Sequence, residues 1–400
     1  MQKKFKEIEN QLIEKRKYEK INVAFFISLI SMFPAKPFFE FLLKQEKYNA
    51  KIIILPDLRF GEENVEKLQN ECWEVLTKNY PIENIIKIPT DEKLDNINLK
   101  EIADIAFFSL PYDISFEKYS LSNILNQGVL PAVVNYGYFR SKYDRQLISK
   151  DFYSNYWKVF AESKYNLDEY KKHTKCKGKN CHLVGYCKMD DYKNYENFEK
   201  QAKKTIIIAP HHSVEGGYNN ILSLSNFYYY SDLFLKLPDI YPEINFIFRP
   251  HPALFMLLSK EEFWGKKKVE NYISQLKNKQ NVIYDTKADY FKSFAMSDGI
   301  IQDCGSYLVE YFYTGKPQCY MLKNPKDIKN KFIKLGEKCL KHSYLAYKEK
   351  DITDFIDEII IKENDYKKEK RNEFAKNEIM INYPNVAQKI FNHFEEIFNT

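Results

Sequence analysis

Three stretches of this 400-residue sequence combine residue types that handle anions and protons. In the first, the apolar run Ile206-Ile207-Ile208-Ala209 leads through Pro210 into His211, His212 and Ser213. An imidazole near neutral pH takes a proton as a general base or, once protonated, donates to an anion. In the second, Phe246-Ile247-Phe248 runs into Arg249, Pro250, His251 and Pro252. The prolines fix backbone φ, so His251 is presented on a stiff segment, and Arg249 offers the planar fork that matches phosphate oxygens. The third passes from Gly299-Ile300-Ile301-Gln302 through Asp303, Cys304, Gly305 and Ser306 into the helix-like Tyr307-Leu308-Val309-Glu310. There, exposed backbone N–H groups and the positive end of a helix dipole would meet a diphosphate. Glu310 is placed either to accept from ribose hydroxyls or to serve as a capping or solvent-facing carboxylate. In the first half, Tyr136-Gly137-Tyr138 also follows an apolar run; its tyrosines could stack on or bond an acceptor, the alternative being core packing.

The elements that must hold these residues are strands. Short apolar runs at 23–30, 52–55, 105–110, 132–134, 158–161 and 182–184, then at 205–209, 245–249, 282–284, 299–302 and 318–322, alternate with amphipathic segments such as 37–47 and 62–78. That alternation is the pattern of parallel sheets covered by helices. A polar stretch at 188–204 separates the two series. The sequence therefore predicts an α/β protein of two Rossmann-like domains, 1–199 on the acceptor side and 200–400 binding the nucleotide donor, with parallel sheets facing across a cleft. Extra helices are predicted at both ends, those at 366–398 packing back on the first domain. Ligands of such sheets bind outside the carboxyl ends of the strands, where all four stretches fall.

Composition narrows the classes. Apolar residues at 44% and charged residues at 29% describe a folded chain with sizeable cores rather than a disordered one. A net charge of +6 is too small for a dedicated nucleic-acid binder. Residues 171–188 hold six lysines and no acid, a run that suits either a solvated loop or an anionic surface such as the inner membrane. The longest apolar run, 23–33, is about half of what spans a bilayer, so any membrane association is expected to be peripheral. Seven scattered cysteines suit a reducing cytoplasm. Cys176, Cys181, His182 and Cys187 lack the paired spacing of zinc knuckles. There is no G-x-G-x-x-G fingerprint, P-loop, G-x-S-x-G elbow or D-x-D pair. The expected site is metal-independent, without a cofactor, and built from histidine, arginine and backbone N–H groups.

The trio A-P-H-H-S (209–213), R-P-H-P (249–252) and S-D-G-I-I-Q-D-C-G-S-Y-L-V-E-Y (297–311), with T-G-K-P at 314–317, resembles the CDP-glycerol glycerophosphotransferase family. Those enzymes, of the two-Rossmann-domain, GT-B-like glycosyltransferase type, build teichoic acids and related capsular polymers. The likeness is strongest over about 200–325. It implies that Arg249 and His251 bind and activate the diphosphate of a CDP-activated donor, and that Asp303, Gly305 and Ser306, matching D-Y-S-S, cradle its phosphates. Two departures stand out: Gly305 replaces the first serine, and Asn135-Tyr136-Gly137-Tyr138 stands where the family carries W-H-G-T, tyrosine replacing histidine. Either His211 or His212 then serves as the base, or the reaction differs from glycerophosphate transfer. The expected activity is transfer of a glycerol phosphate or related polyol phosphate from a CDP-linked donor to a glycan or lipid-linked glycan hydroxyl, with release of CMP. Catalysis is expected from His211, His212 and His251, binding of the nucleotide from Arg249, Ser213, Asp303, Gly305, Ser306 and Glu310, and binding of the acceptor from Tyr136, Gly137 and Tyr138. A nucleotide-sugar glycosyltransferase, a UDP-sugar epimerase and a non-catalytic glycan- or nucleotide-binding protein stay open as alternatives.

Overall fold

The computed structural model describes residues 1–199, 201–215 and 223–399. The chain forms two compact units: unit 1 is Met1–Tyr138, Gln146–Asp191 and Met380–Thr400, and unit 2 is Phe139–Arg145 and Tyr192–Ile379. This partition differs from a single cut after residue 199 by three pieces, the first being 192–199, which falls in unit 2. A short strap, Phe139–Arg145, belongs to unit 2, and the last segment of the chain belongs to unit 1.

Unit 1 carries a seven-stranded sheet: β1 Ile21–Ile27, β2 Tyr48–Ile54, β3 Ile85–Lys87, β4 Ile105–Phe108, β5 Leu130–Val134, β6 Lys158–Ala161 and β7 Cys181–Leu183. Unit 2 carries six: β8 Thr205–Ala209, β9 Asn245–Phe248, β10 Val282–Tyr284, β11 Gly299–Gln302, β12 Gln318–Met321 and β13 Tyr344–Ala346. The spatial orders are β3-β2-β1-β4-β5-β6-β7 and β10-β9-β8-β11-β12-β13, and every pair is parallel. Counted within each unit, both begin 3-2-1-4-5-6, the Rossmann order. This is the two-Rossmann, GT-B-like architecture.

The central strands are apolar without alternation because helices cover both faces; all five residues of β8 are buried. In unit 1 an aromatic stack runs across the sheet, Phe25 against Phe107 at 5.1 Å between centroids and Phe107 against Phe160 at 6.0 Å. The helix Val386–Phe398 repeats apolar residues at helical spacing and lays Phe394 on Phe107 at 5.9 Å, which fixes the chain's end to this sheet. The runs named from the sequence all become strands, with ends shifted by up to four residues. Two strands were not among those runs, β3 and β13, both three-residue edge strands. Among the described residues, no helix is long and apolar enough to cross a membrane.

Candidate functional site

In unit 2 the strand order reverses between β8 and β11, and the chain leaves both strands toward the same crevice. His211 and His212 follow β8, His251 follows β9, and Cys304, Gly305 and Ser306 follow β11. The first two loops are tied together, since the His251 N–H donates to the Pro210 carbonyl at 3.0 Å. The imidazoles gather as a result. Ring centroids lie 4.2 Å apart for His211 and His212, 4.0 Å for His212 and His251, and 5.3 Å for His211 and His251. Burial is the main force on their protonation. It drives His211 well below the ordinary histidine range, His212 down to about 4 and His251 down to about 3. All three rings are neutral at physiological pH.

A cation faces this cluster, and it is not the one the sequence pointed to. Arg140 comes from the strap Phe139–Arg145, which is held in unit 2 by an antiparallel bridge between Ser141 and Phe332 and by the Ile333 N–H on the Arg140 carbonyl at 3.0 Å. The strap is a turn closed by Asp144, which accepts from the N–H groups of Arg140 and Ser141 at 2.9 and 2.8 Å. Asp144 also takes Nη1 of Arg140 at 3.0 Å. The guanidinium lies over Gly305, where an added Cβ would fall 1.9 Å from Arg140 Nη2. Its charge is felt by both His211 and His212, lowering their pKa values further. The glycine that departs from D-Y-S-S is therefore the space the arginine fills. That substitution was the one sequence signal for Arg140, which otherwise sits far from the site along the chain.

Several expected ligand-binding residues turn out to brace the site. Arg249 is buried and committed: Nη1 pairs with Asp285 at 2.5 Å, Nε donates to the Tyr307 hydroxyl at 3.0 Å, and Nη2 donates to the Lys287 carbonyl. It ties the loop after β10 to the segment after β11 through one N–H on each of its three nitrogens. Asp303 is wholly buried and accepts from the backbone N–H of His211 at 2.7 Å and of Asn226 at 2.5 Å. Its carboxyl, pushed up to about 7 by burial, positions the histidine loop instead of cradling a phosphate. Ser213 is also wholly buried, with its hydroxyl on His211 Nδ1 and the Leu224 N–H. Glu310 is buried and accepts from Tyr290 at 2.6 Å, leaving neither a solvent-facing carboxylate nor one open to a ribose. The helix opened by Ser306 spans only Tyr307–Glu310 before tightening to a 3-10 turn, so its dipole is slight. Ser306 is half-buried and its hydroxyl makes no cap bond to that helix.

In unit 1 the tyrosine stretch divides. Tyr138 is wholly buried, edge-on to Tyr186 at 4.8 Å, and is a packing residue, not an acceptor contact. Tyr136 is half-buried, with Lys188 Nζ 5.4 Å from its ring centroid. The residue before it, Asn135, donates to Glu162 and to the Tyr170 hydroxyl, both at 2.7 Å, and accepts from Tyr153 at 2.8 Å. Burial pushes Glu162 up to about 8. This network, which has no local sequence signal, fixes the start of the Tyr136 loop. Of the lysines in 171–188, Lys171, Lys172, Lys175, Lys177 and Lys179 are exposed. All seven cysteines are free thiols.

No protein-family model matches this sequence, and no curated protein matches it. Solved structures do. The wall teichoic acid polymerase TagF superposes with a TM-score of 0.62 at 12% identity, covering 98% of this chain and 94% of that one. A UDP-N-acetylglucosamine 2-epimerase superposes with 0.59 at 12% identity over 95% and 97%. The S. aureus MnaA structure with UDP gives 0.57 at 15% identity over 95% and 97%. At these identities the likeness establishes a shared fold across nearly the whole chain.

Proposed function

We propose that the protein is a transferase of glycan biosynthesis that holds a nucleotide-activated donor by its diphosphate on unit 2. The observation that carries this is the convergence of Arg140, His211, His212, His251 and the Gly305–Ser306 turn at the carboxyl ends of β8, β9 and β11. A half-buried guanidinium, paired through Nη1 with Asp144, beside neutral imidazoles and a hydroxyl is a set of hydrogen-bond donors that suits a diphosphate. The three-motif resemblance to CDP-glycerol glycerophosphotransferases supports a CDP-linked polyol as the donor. In that reaction the acceptor hydroxyl oxygen attacks the β-phosphorus, a new P–O bond forms, the bond from that phosphorus to the bridging oxygen breaks, and CMP leaves with the bridging oxygen. The acceptor proton passes to an imidazole.

The fold shared with UDP-N-acetylglucosamine 2-epimerases supports a second reading, in which the same cradle takes a UDP-linked sugar. The nucleotide separates the two. A thermal-shift panel of CDP, CMP, UDP and GDP should rank CDP first, since binding to the folded state raises Tm by mass action. Incubation with CDP-glycerol and a panel of glycan acceptors should then release CMP. A UDP preference with no CMP release would favour the second reading, and no nucleotide shift at all would remove both.

A further inference from the structure

The imidazoles of unit 2 do not share one set of partners, and the difference sets what each can do. The backbone N–H of Ser213 donates to Nδ1 of His211 at 3.2 Å, and that of Ala253 donates to Nδ1 of His251 at 3.1 Å. The device is the same twice: a histidine after a parallel strand accepts from the N–H two residues on. A ring nitrogen that accepts an N–H has its lone pair engaged, so the proton of the neutral ring sits on Nε2. The Ser213 hydroxyl lies 2.7 Å from His211 Nδ1 and accepts the Leu224 N–H at 3.1 Å. Burial keeps both rings uncharged. Resting on the site as a diphosphate cradle, we propose that His211 and His251 are locked as neutral Nε2–H tautomers that donate to the diphosphate oxygens and are not bases, and that the acceptor's proton goes to His212.

Two physical consequences support this division. The first concerns charge. Arg140 already supplies a half-buried cation beside His211 and His212, and further cations there would have to be desolvated against it. Neutral N–H groups donate to an anion without that repulsion. The second concerns metal ions. The ligand atoms of His211, His212 and His251 lie within 4.8 Å of one another, a spacing that invites a cation. A histidine ligand, however, presents a bare ring nitrogen to the metal while its other nitrogen donates outward. In His211 and His251 the arrangement is reversed: Nδ1 accepts from an N–H and Nε2 holds the proton. Recruiting either ring for a metal would break its backbone hydrogen bond, whereas an anion requires no rearrangement.

The tautomers are measurable without any ligand. In the full-length protein labelled with 15N-histidine, long-range 1H–15N correlations at about pH 7 separate Nε2–H, Nδ1–H and imidazolium forms. His211→Gln, His212→Gln and His251→Gln supply the assignments. Nε2–H patterns are expected for His211 and His251; an Nδ1–H tautomer or an imidazolium at either overturns the proposal, even if CDP binds. Failure of the underlying reading would appear separately, as no thermal shift with CDP or UDP. A glutamine amide places an N–H near the position of Nε2–H. His251→Gln should therefore keep CDP affinity within about 3-fold, whereas His251→Leu should weaken it by about 10- to 100-fold. His212→Gln should retain CDP affinity while transfer from CDP-glycerol falls by about 100- to 10,000-fold. Equal weakening by Gln and Leu at 251, full transfer by His212→Gln, or one Zn2+ bound per chain in equilibrium dialysis and lost in His251→Leu would each overturn it.

Discussion

The two units use the same strand order, yet the crevices where that order reverses are chemically unlike. In unit 1 the carboxyl ends of β1 and β4 open on a small hollow lined by Phe26, Leu55, Phe108, Leu110, Tyr112 and Phe116 among others. Arg59, which donates to Tyr112 of that lining, is paired with Asp57, which also takes the Ser28 hydroxyl at 3.0 Å. In unit 2 the equivalent place gathers three imidazoles and the half-buried guanidinium of Arg140, paired on one nitrogen with Asp144. Sheet topology thus determines where a ligand can lie, and the residues just past the strands determine its charge. On the proposed reading the anionic donor goes to unit 2 and the neutral, hydroxyl-bearing partner to unit 1.

Removing the cation from each crevice tests the contrast most sharply. Arg140→Leu should weaken CDP binding by about 100-fold, because a donor to a buried anion is lost. The fold should tolerate the change, since Asp144 keeps its bonds from two backbone N–H groups and the Ser141 hydroxyl. Arg59→Leu breaks a half-exposed ion pair and should move CDP binding by less than about 2-fold. Titration calorimetry of the two variants side by side checks this, and equal losses would erase the distinction between the crevices.

Much of this was legible before any coordinates. Buried parallel strands are written as unbroken apolar runs, so the two sheets and the positions of His211, His212 and His251 follow from the sequence. What it hid depends on contacts between distant segments. Arg249 reads as a phosphate fork until Asp285, Tyr307 and the Lys287 carbonyl are seen to occupy it. Asp303 reads as part of a phosphate turn, but its partners are N–H groups from another loop. Arg140 carries no signal in its own stretch, and only the missing side chain at Gly305 hints at it. Tyr138 differs from Tyr136 by the burial of one loop position, which no local pattern encodes.

Acid should discriminate the units next. In unit 1, His182 on β7 and His393 on the helix Val386–Phe398 stack at 3.9 Å, with Lys158 adding repulsion. Burial lowers them to about 3 and about 4. Below the ordinary pKa of about 6.5 the unfolded chain takes up protons that the folded chain refuses, so stability is flat above that pH and falls as pH drops toward the folded values. Each ring should cost about 2 kcal/mol at about pH 5. His393→Phe should therefore flatten the fall in urea midpoint between about pH 7 and pH 5, without changing CDP binding. An unchanged slope would mean that the histidines of unit 2 dominate acid unfolding.

Gly305→Ala should act more gently and in the opposite sense, on binding without stability. The backbone at Gly305 is open to any L-residue, and the new methyl meets first the Arg140 guanidinium, the movable end of a long side chain. Swinging it aside should weaken CDP by about 10-fold, since one charge-assisted contact is misplaced and not deleted. The urea midpoint should stay near that of the parent protein. A large drop in stability with unchanged CDP affinity would mean that Arg140 braces the fold and does not grip the nucleotide.

The smallest effect is expected in unit 1, at Tyr136. Its ring packs beside Lys188, and its backbone is fixed on both sides, by the Ser109 carbonyl and by the Tyr186 hydroxyl. Tyr136→Phe therefore keeps the loop in place and removes a single hydroxyl. A neutral hydrogen bond to an acceptor is worth about 1 kcal/mol, so the KM for a glycan acceptor should rise by about 2- to 10-fold. The CDP thermal shift should not move. If CDP binding changes and the acceptor KM does not, the nucleotide extends onto the first unit and the division between anionic and hydroxyl-bearing partners is wrong.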